Sequence, residues 1–498
     1  YFLRVVLLPI YAQVNMGNLG ANKILFGLGW TTLSTIVTGV TQILLLSILA
    51  SFLNKEDFGV VAILTFVLGL TQVFSDLGFS ASIMSEKNLS KNRFLSLYWL
   101  QFIVFNCLML GVSLFSPVIS TYYKLSELQY LIPIVLCELL FVSIGKLYDT
   151  VLQKNMQFKT MATRNIVSAL FSLIIAVVLA YYGCGVFSLI LSTLSQVAIV
   201  NIWNFVAGQN TYKISIQNIR IKEAGDLVNV GLYQMGTQLV DYVASKLDIL
   251  IISSFLGVGA LGIYNLAKEL VLRFVMVINT ITTKVMLPVL SSYSSDCNQL
   301  KRKFEQFAMR LSYLNTPIVG FVFLFAPIIV EIFYGKGYEE ANEIVSIMSI
   351  WSLFVVLGQP SGMVAIVLKR TDLSFSYTIV RFITMGILLF AFARTSLHNA
   401  ALTMLFTYLI MFFVNWFMLL YRIISMTFVE YLLIFYKSWS VVIVASLLVL
   451  AVRNCLSVDD IYLKVVFESF IYVISLVIII LLFDKRLIVP LLNKFKKV

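Results

Sequence analysis

Between Lys23 and Arg486 the chain strings together about fourteen apolar stretches, each near the ~20 residues that a helix needs to cross hydrocarbon. Phe470 to Phe483 carries no charge, and neither does Trp439 to Val452. Inside lipid the backbone must satisfy its own hydrogen bonds, so the expected fold is an all-α integral membrane bundle. The spans are expected near 24–52, 58–84, 94–118, 128–152, 161–182, 185–207, 227–256, 259–288, 307–333, 341–368, 372–393, 398–421, 432–452 and 461–483. They consume nearly all of the 498 residues. The longest polar connections, Gly208 to Asp226 and Ser291 to Glu305, leave no room for a large catalytic head.

A net charge of +12 invites a nucleic-acid reading, but its distribution argues against one. Lys and Arg cluster at 87–93, 154–164, 213–222, 301–310, 369–370, 422–437 and 485–497, in alternate connections. The opposite side holds only Lys55, Lys124, Lys336, Arg394, Arg453 and Lys464. This is the positive-inside pattern; it predicts cytoplasmic termini and basic loops facing lipid headgroups, with no nucleic acid as partner. Cys107, Cys137, Cys184, Cys297 and Cys455 show no metal-type spacing, and His398 is the single histidine, so no metal site is expected. Tyr1 to Asn15 is a short apolar run broken by Pro9, too short to span comfortably; Met16 opens a more natural beginning, and residues 1–15 are expected to be upstream translated sequence or a floppy extension.

Ser51-Phe52-Leu53 recurs as Ser254-Phe255-Leu256 and Gly59 as Gly262, all at one offset of 203 residues. Val151-Leu152-Gln153-Lys154 leading to Phe158 recurs as Val367-Leu368-Lys369-Arg370 leading to Phe375, at an offset of 216 or 217. Shared order makes this a duplication of six spans, and an even number keeps both copies facing the same way. The expected plan is an N-lobe over 24–207, a cytoplasmic linker over 208–226 and a C-lobe over 227–424. These two parallel six-helix repeats flank a central cleft, with two further helices over 432–483 and a basic cytoplasmic tail over 484–498. Rocking one lobe against the other would give alternating access.

Charge inside a span costs at least about 2.5–3.5 kcal/mol, so it should face protein or water. On span 7, Gln234, Gln238, Asp241, Ser245 and Asp248 stay within an arc of about 80° at helical periodicity, one polar stripe. Span 8 answers with Asn265, Glu269, Arg273, Thr280 and Lys284. At 1.5 Å per residue, Asp241 and Arg273 lie at similar depths of roughly 21–22 Å, and Lys246 and Glu269 near about 15 Å, so two ion pairs across the hairpin are available. Lys268, Lys284 and Arg381 have no obvious acidic partner in sequence. The stripe can pin the hairpin or wet a lumen; both readings stand. Thr31, Ser34, Thr38, Thr41 and Gln42 form a lesser stripe on span 1, better suited to helix packing. On span 4, Lys146 and Asp149 are spaced to pair, with Glu138 nearby.

Four segments carry a family resemblance. They are Phe74-Ser-Asp-Leu-Gly-Phe-Ser-Ala-Ser-Ile83 with Leu97-Tyr98-Trp99, Leu152-Gln-Lys-Asn-Met-Gln-Phe158, Leu261-Gly-Ile-Tyr-Asn-Leu-Ala267 and Thr283-Lys-Val-Met-Leu-Pro288. Together they resemble polysaccharide exporters of the colanic acid exporter type, in the multidrug/oligosaccharidyl-lipid/polysaccharide exporter superfamily. The resemblance implies a flippase that moves undecaprenyl-pyrophosphate-linked oligosaccharide across the bacterial inner membrane for surface polysaccharide, lipopolysaccharide or capsule biosynthesis. It also implies a polysaccharide polymerase and a chain-length regulator as partners. On that reading Arg273, Lys284, Arg381, Lys268 and Lys246 are the cations that would meet pyrophosphate. Asp76, Asp241 and Glu269 are candidate carboxylates for coupling to a proton or sodium gradient, and no cofactor is expected. The chain departs from the family at Lys284, where Arg is usual, and at Asp241, where an uncharged residue is usual. An ion-coupled multidrug antiporter on the same scaffold is the rival reading; a polymerizing enzyme is disfavoured by outer turns as short as Gly183-Cys-Gly185 and Gly257-Val-Gly259.

Overall fold

The computed structural model describes residues 18–76, 83, 90–214, 225–455 and 461–483, and every regular element among them is helical. The first half holds α1 (Asn18–Ala50), α2 (Lys55–Asp76), α3 (Lys91–Leu114), the short α4 (Ser116–Tyr123), α5 (Leu128–Leu136), α6 (Glu138–Lys154), α7 (Phe158–Tyr181) and α8 (Val186–Gly208). The second holds α9 (Gly225–Phe255), α10 (Val258–Ser291), α11 (Cys297–Tyr334), α12 (Ala341–Val367), α13 (Thr371–Phe392) and α14 (Leu397–Asn415). The last of these runs on through a π-helical turn, Trp416–Tyr421. Two more helices, α15 (Phe428–Cys455) and α16 (Ile461–Phe483), follow. The proposed upstream segment 1–15 and the tail 484–498 lie outside the described residues.

Among the described residues, 12 helices are long and apolar enough to cross a membrane, α5 and α6 counting as one crossing broken at Cys137. Twelve, rather than fourteen, is the number that length and apolarity establish. The polar-striped α9 and α10, of 31 and 34 residues, stand outside that set. The lipid-facing character is plain on α13, where Ile383, Ile387 and Phe390 are all exposed at successive turns. In water a patch of that kind would drive association; in a bilayer it is the solvent-facing surface.

Equivalent helices pack in each half. Span 5 lies on span 1 as α7 on α1, and span 11 lies on span 7 as α13 on α9. Likewise α8 packs on α6 as α14 packs on α12. The halves meet through α1 and α2 on one side and α9, α10 and α11 on the other. The second repeat registers differently from its sequence reading. The left-handed residues of the matching turns are Met156 (φ 54°) and Lys369 (φ 57°), an offset of 213, so the turns align three to four residues away from the Val-Leu match.

Helix α11 contains Pro317 and Pro327 and leaves helical geometry at Phe325 (φ −110°). Pro327 has no N–H for the carbonyl of Phe323 and its ring crowds that turn. Ser346 of α12 donates to the Phe323 carbonyl at 3.5 Å, and Arg453 of α15 donates to the Leu324 carbonyl at 3.3 Å. Carbonyls freed by the kink thus find partners on neighbouring helices, as a lipid-embedded bend requires. The pair α15–α16 joins the bundle chiefly through α11.

Candidate functional site

The α9–α10 hairpin collects the intramembrane charges, but not in the pairs that depth alone suggests. Asp248 is fully buried, accepts from the Tyr264 hydroxyl at 2.7 Å and pairs with Lys268, itself 5% exposed. The Lys268 ammonium also sits 5.5 Å from the centre of the Trp351 ring. Lys268 was expected to lack an acidic partner; it has one, sealed from water. The reason is reach: Asp248 and Lys268 lie closer to the hairpin turn than Asp241 and Arg273, so their side chains converge first.

Arg273 does not meet Asp241. Its guanidinium bonds Glu269 one turn back on the same helix at 3.0 Å and Gln42 of α1 across the seam. Asp241 instead takes Arg381 of α13 at 2.6 Å. Arg381 too was expected to be unpaired. The correction follows from α13 packing on α9, a neighbour that a hairpin-only view omits. Asp241 remains 59% exposed while Arg381 is only 16% exposed. An accessible carboxylate about 21 Å from the end of a helix that long belongs in water rather than in acyl chains.

Removing those pairs leaves one cation over. Lys246 is half-buried on α9 beside Asp248, Lys268, Glu269 and Arg273, yet among the described residues no carboxylate lies within ion-pair distance of it. The expected Lys246–Glu269 pair is therefore not formed, because Glu269 turns to Arg273. Ser245 spends its hydroxyl on the carbonyl of Tyr242 at 2.8 Å, and Gln238 is half-buried on the same helix. The side chains of Gln234, Lys284 and Asp76 lie outside the described residues.

A cavity of about 250 Å³ opens beside Asp241 and Arg381, walled by Tyr377, Tyr408, Phe354 and Asn415. Its counterpart in the first half, about 240 Å³, holds Gln72, Glu138, Lys146, Asp149, Arg164 and Asn204. Asn204 and Asn415 occupy the same place counted from the starts of α8 and α14. In the first-half cavity Asp149 pairs with Arg164 of α7 at 2.7 Å, not with Lys146 as its spacing suggested. A guanidinium from a packed neighbour out-competes a lysine one turn away, because it also bonds Asn204 and Asn165. This network was the part sequence reading missed; Arg164 in a span beside Asn165 was the available signal. On α1, Thr38 and Thr41 bond carbonyls of their own helix at 2.7 and 2.8 Å, and Gln42 of the same stripe accepts from Arg273.

The two-lobed helical fold is like that of solved transporter structures, one of them from the multidrug/oligosaccharidyl-lipid/polysaccharide exporter superfamily. The solved structure of the lipid II flippase MurJ in an inward closed conformation matches with a TM-score of 0.74, covering 92% of this chain and 99% of that one at 16% identity. An inward-facing multidrug resistance MATE family transporter of that superfamily matches with a TM-score of 0.60, covering 78% and 98% at 14% identity. The chain belongs to the polysaccharide biosynthesis protein family, whose match spans residues 48–343, more than half its length. The teichuronic acid biosynthesis protein TuaB of Bacillus subtilis is 26% identical over 407 residues, covering 79% of this chain and 80% of its own.

Proposed function

We propose that this protein is a flippase for undecaprenyl-pyrophosphate-linked oligosaccharide, working by alternating access between its two lobes at the bacterial inner membrane. The observation that carries this reading is Lys246. Once Lys268 is paired to Asp248, Arg273 to Glu269 and Arg381 to Asp241, it is the surplus positive charge among the described residues of the hairpin. A lipid pyrophosphate brings its own negative charge and would complete that balance, with charge-assisted bonds stronger than neutral ones. Membership of a polysaccharide biosynthesis family and the likeness to a lipid II flippase favour the same cargo class.

Hydrogen bonds between the lobes include Lys55–Glu340, Tyr338–Leu53, Tyr122–Ser254 and Ser253–Tyr123 at the Lys55 end, with Tyr242 on Thr65 and Phe66 and Arg273 on Gln42 deeper in. With the basic connections cytoplasmic, that end is external, and these bonds hold the lobes together there. Asp241 and Glu269, both in ion pairs, are the carboxylates through which a proton or sodium gradient would act, alongside Asp76. The multidrug antiporter reading draws on the MATE likeness, but a paired Asp241 and a surplus lysine suit an anion better than an organic cation. Lys246→Ala tests the choice: it should abolish surface polysaccharide export while the protein stays folded at normal level, and Lys246→Arg should retain export. Undiminished export by Lys246→Ala would remove the anion-docking role.

A further inference from the structure

Helix α2 crosses α10 in close backbone contact between the lobes. A Cβ on Gly59 would lie 2.9 Å from the carbonyl carbon of Val258 and closer still to its oxygen. A Cβ on Gly262 would lie 2.9 Å from the carbonyl carbon of Lys55, again closer to the oxygen, and 3.0 Å from the amide nitrogen of Gly59. Lys55 and Val258 begin their helices, and each glycine sits one turn further in. Both glycines and both opposing carbonyls are related by the same offset of 203 residues. The contact is therefore symmetric: each copy of the repeat presents its glycine to the first carbonyl of the other, as in an isologous dimer interface. Only hydrogen at Cα lets the two helices come this close, with Cα–H groups facing carbonyl oxygens.

The surroundings make this crossing a seal. Leu53, Phe58, Leu261, Ile263 and Tyr338 are all buried around it. Tyr338 donates to the Leu53 carbonyl at 2.9 Å, Lys55 pairs with Glu340 at 3.0 Å, and Tyr122 meets Ser254 at 3.1 Å. We infer that the Gly59–Gly262 crossing is the gate through which cargo leaves at the Lys55 end, and that the two glycines set how tightly it shuts. Transport requires α2 and α10 to part here. A side chain at either glycine would wedge the helices apart and shift the population toward the state open at this end, since it clashes only with the closed one. The nearest opposing atom at each glycine is a backbone carbonyl oxygen, so no rotamer change can relieve the clash.

The test uses Lys55→Cys with Glu340→Cys in full-length protein whose native cysteines are replaced, reacted with a short bifunctional maleimide in membranes. The cross-linking rate should be high with both glycines present. It should fall several-fold in Gly59→Ala and in Gly262→Ala, and stay unchanged in Gly111→Ala, whose added methyl meets open space. Equal rates in all four proteins would overturn the assignment. Because no cargo is present, this outcome stands even if the substrate class proposed above is wrong. Should the alanine variants fail to accumulate, a reversible cross-linker decides: linking the gate should stop translocation and cleavage should restore it. Continued translocation with the gate fully linked would contradict the inference.

Discussion

Arg381 of α13 reaches Asp241 of α9 at 2.6 Å, joining two helices whose partner residues are 140 positions apart in sequence. The pair closes one wall of the second-half cavity while leaving the carboxylate accessible. Because Asp241 is mostly exposed, solvent screens the pair, and its coupling energy should be modest, about 1 kcal/mol. A double-mutant cycle on Asp241→Ala and Arg381→Ala, read by thermal unfolding in detergent, measures it. Export should fall in both single variants. The reversed pair Asp241→Arg with Arg381→Asp should recover a part of it; no recovery would mean that position, not pairing, matters.

Asp248 and Lys268 should behave differently, because both are buried. Asp248→Ala strands a buried ammonium and should cost about 3–5 kcal/mol of stability. Replacing both partners, as Asp248→Leu with Lys268→Met, should cost clearly less than Asp248→Ala alone. Chemical denaturation of the purified protein in detergent reads both, and a double variant as unstable as the single would show that the pair contributes more than mutual neutralisation.

Arg453 and Glu468 tie α15 to α16 at 2.7 Å, and Arg453 also caps the Leu324 carbonyl at the α11 kink. Glu468 is 1% exposed, so Arg453→Ala should lower stability by about 3 kcal/mol. Cargo export at permissive temperature should continue, since the pair lies on the outer helices. Loss of export in a variant that remains folded would bring α15 and α16 into the transport cycle.

Most of the scaffold was legible because lipid imposes a single rule on the backbone: twelve of the spans announce themselves by length and apolarity alone. The Gly59/Gly262 repeat was also readable, and the structure turns those two positions into neighbours. The partners of the charges were not. Depth along a helix follows from 1.5 Å per residue, but which neighbour stands beside a stripe depends on how α13 packs on α9 and α1 on α10. Asp241–Arg381 and Arg273–Gln42 therefore escaped a reading confined to one hairpin. Asp149–Arg164 escaped for the same reason, with a guanidinium from another helix replacing the lysine one turn away. Registration of the second repeat failed where Val-Leu is so common in membrane helices that a chance match outranked the turn geometry.

The central claim is movement of a pyrophosphate-linked glycan lipid between the lobes, with Lys246 as the cation that meets the pyrophosphate. Proteoliposomes holding the purified protein and a fluorescently labelled undecaprenyl-pyrophosphate oligosaccharide, scored for the label's access to an external quencher, measure that directly. The protein should speed transbilayer movement well above that of empty vesicles, and Lys246→Ala should return it to the empty-vesicle rate. Equal rates with and without the protein, or undiminished flipping by Lys246→Ala, would contradict the account.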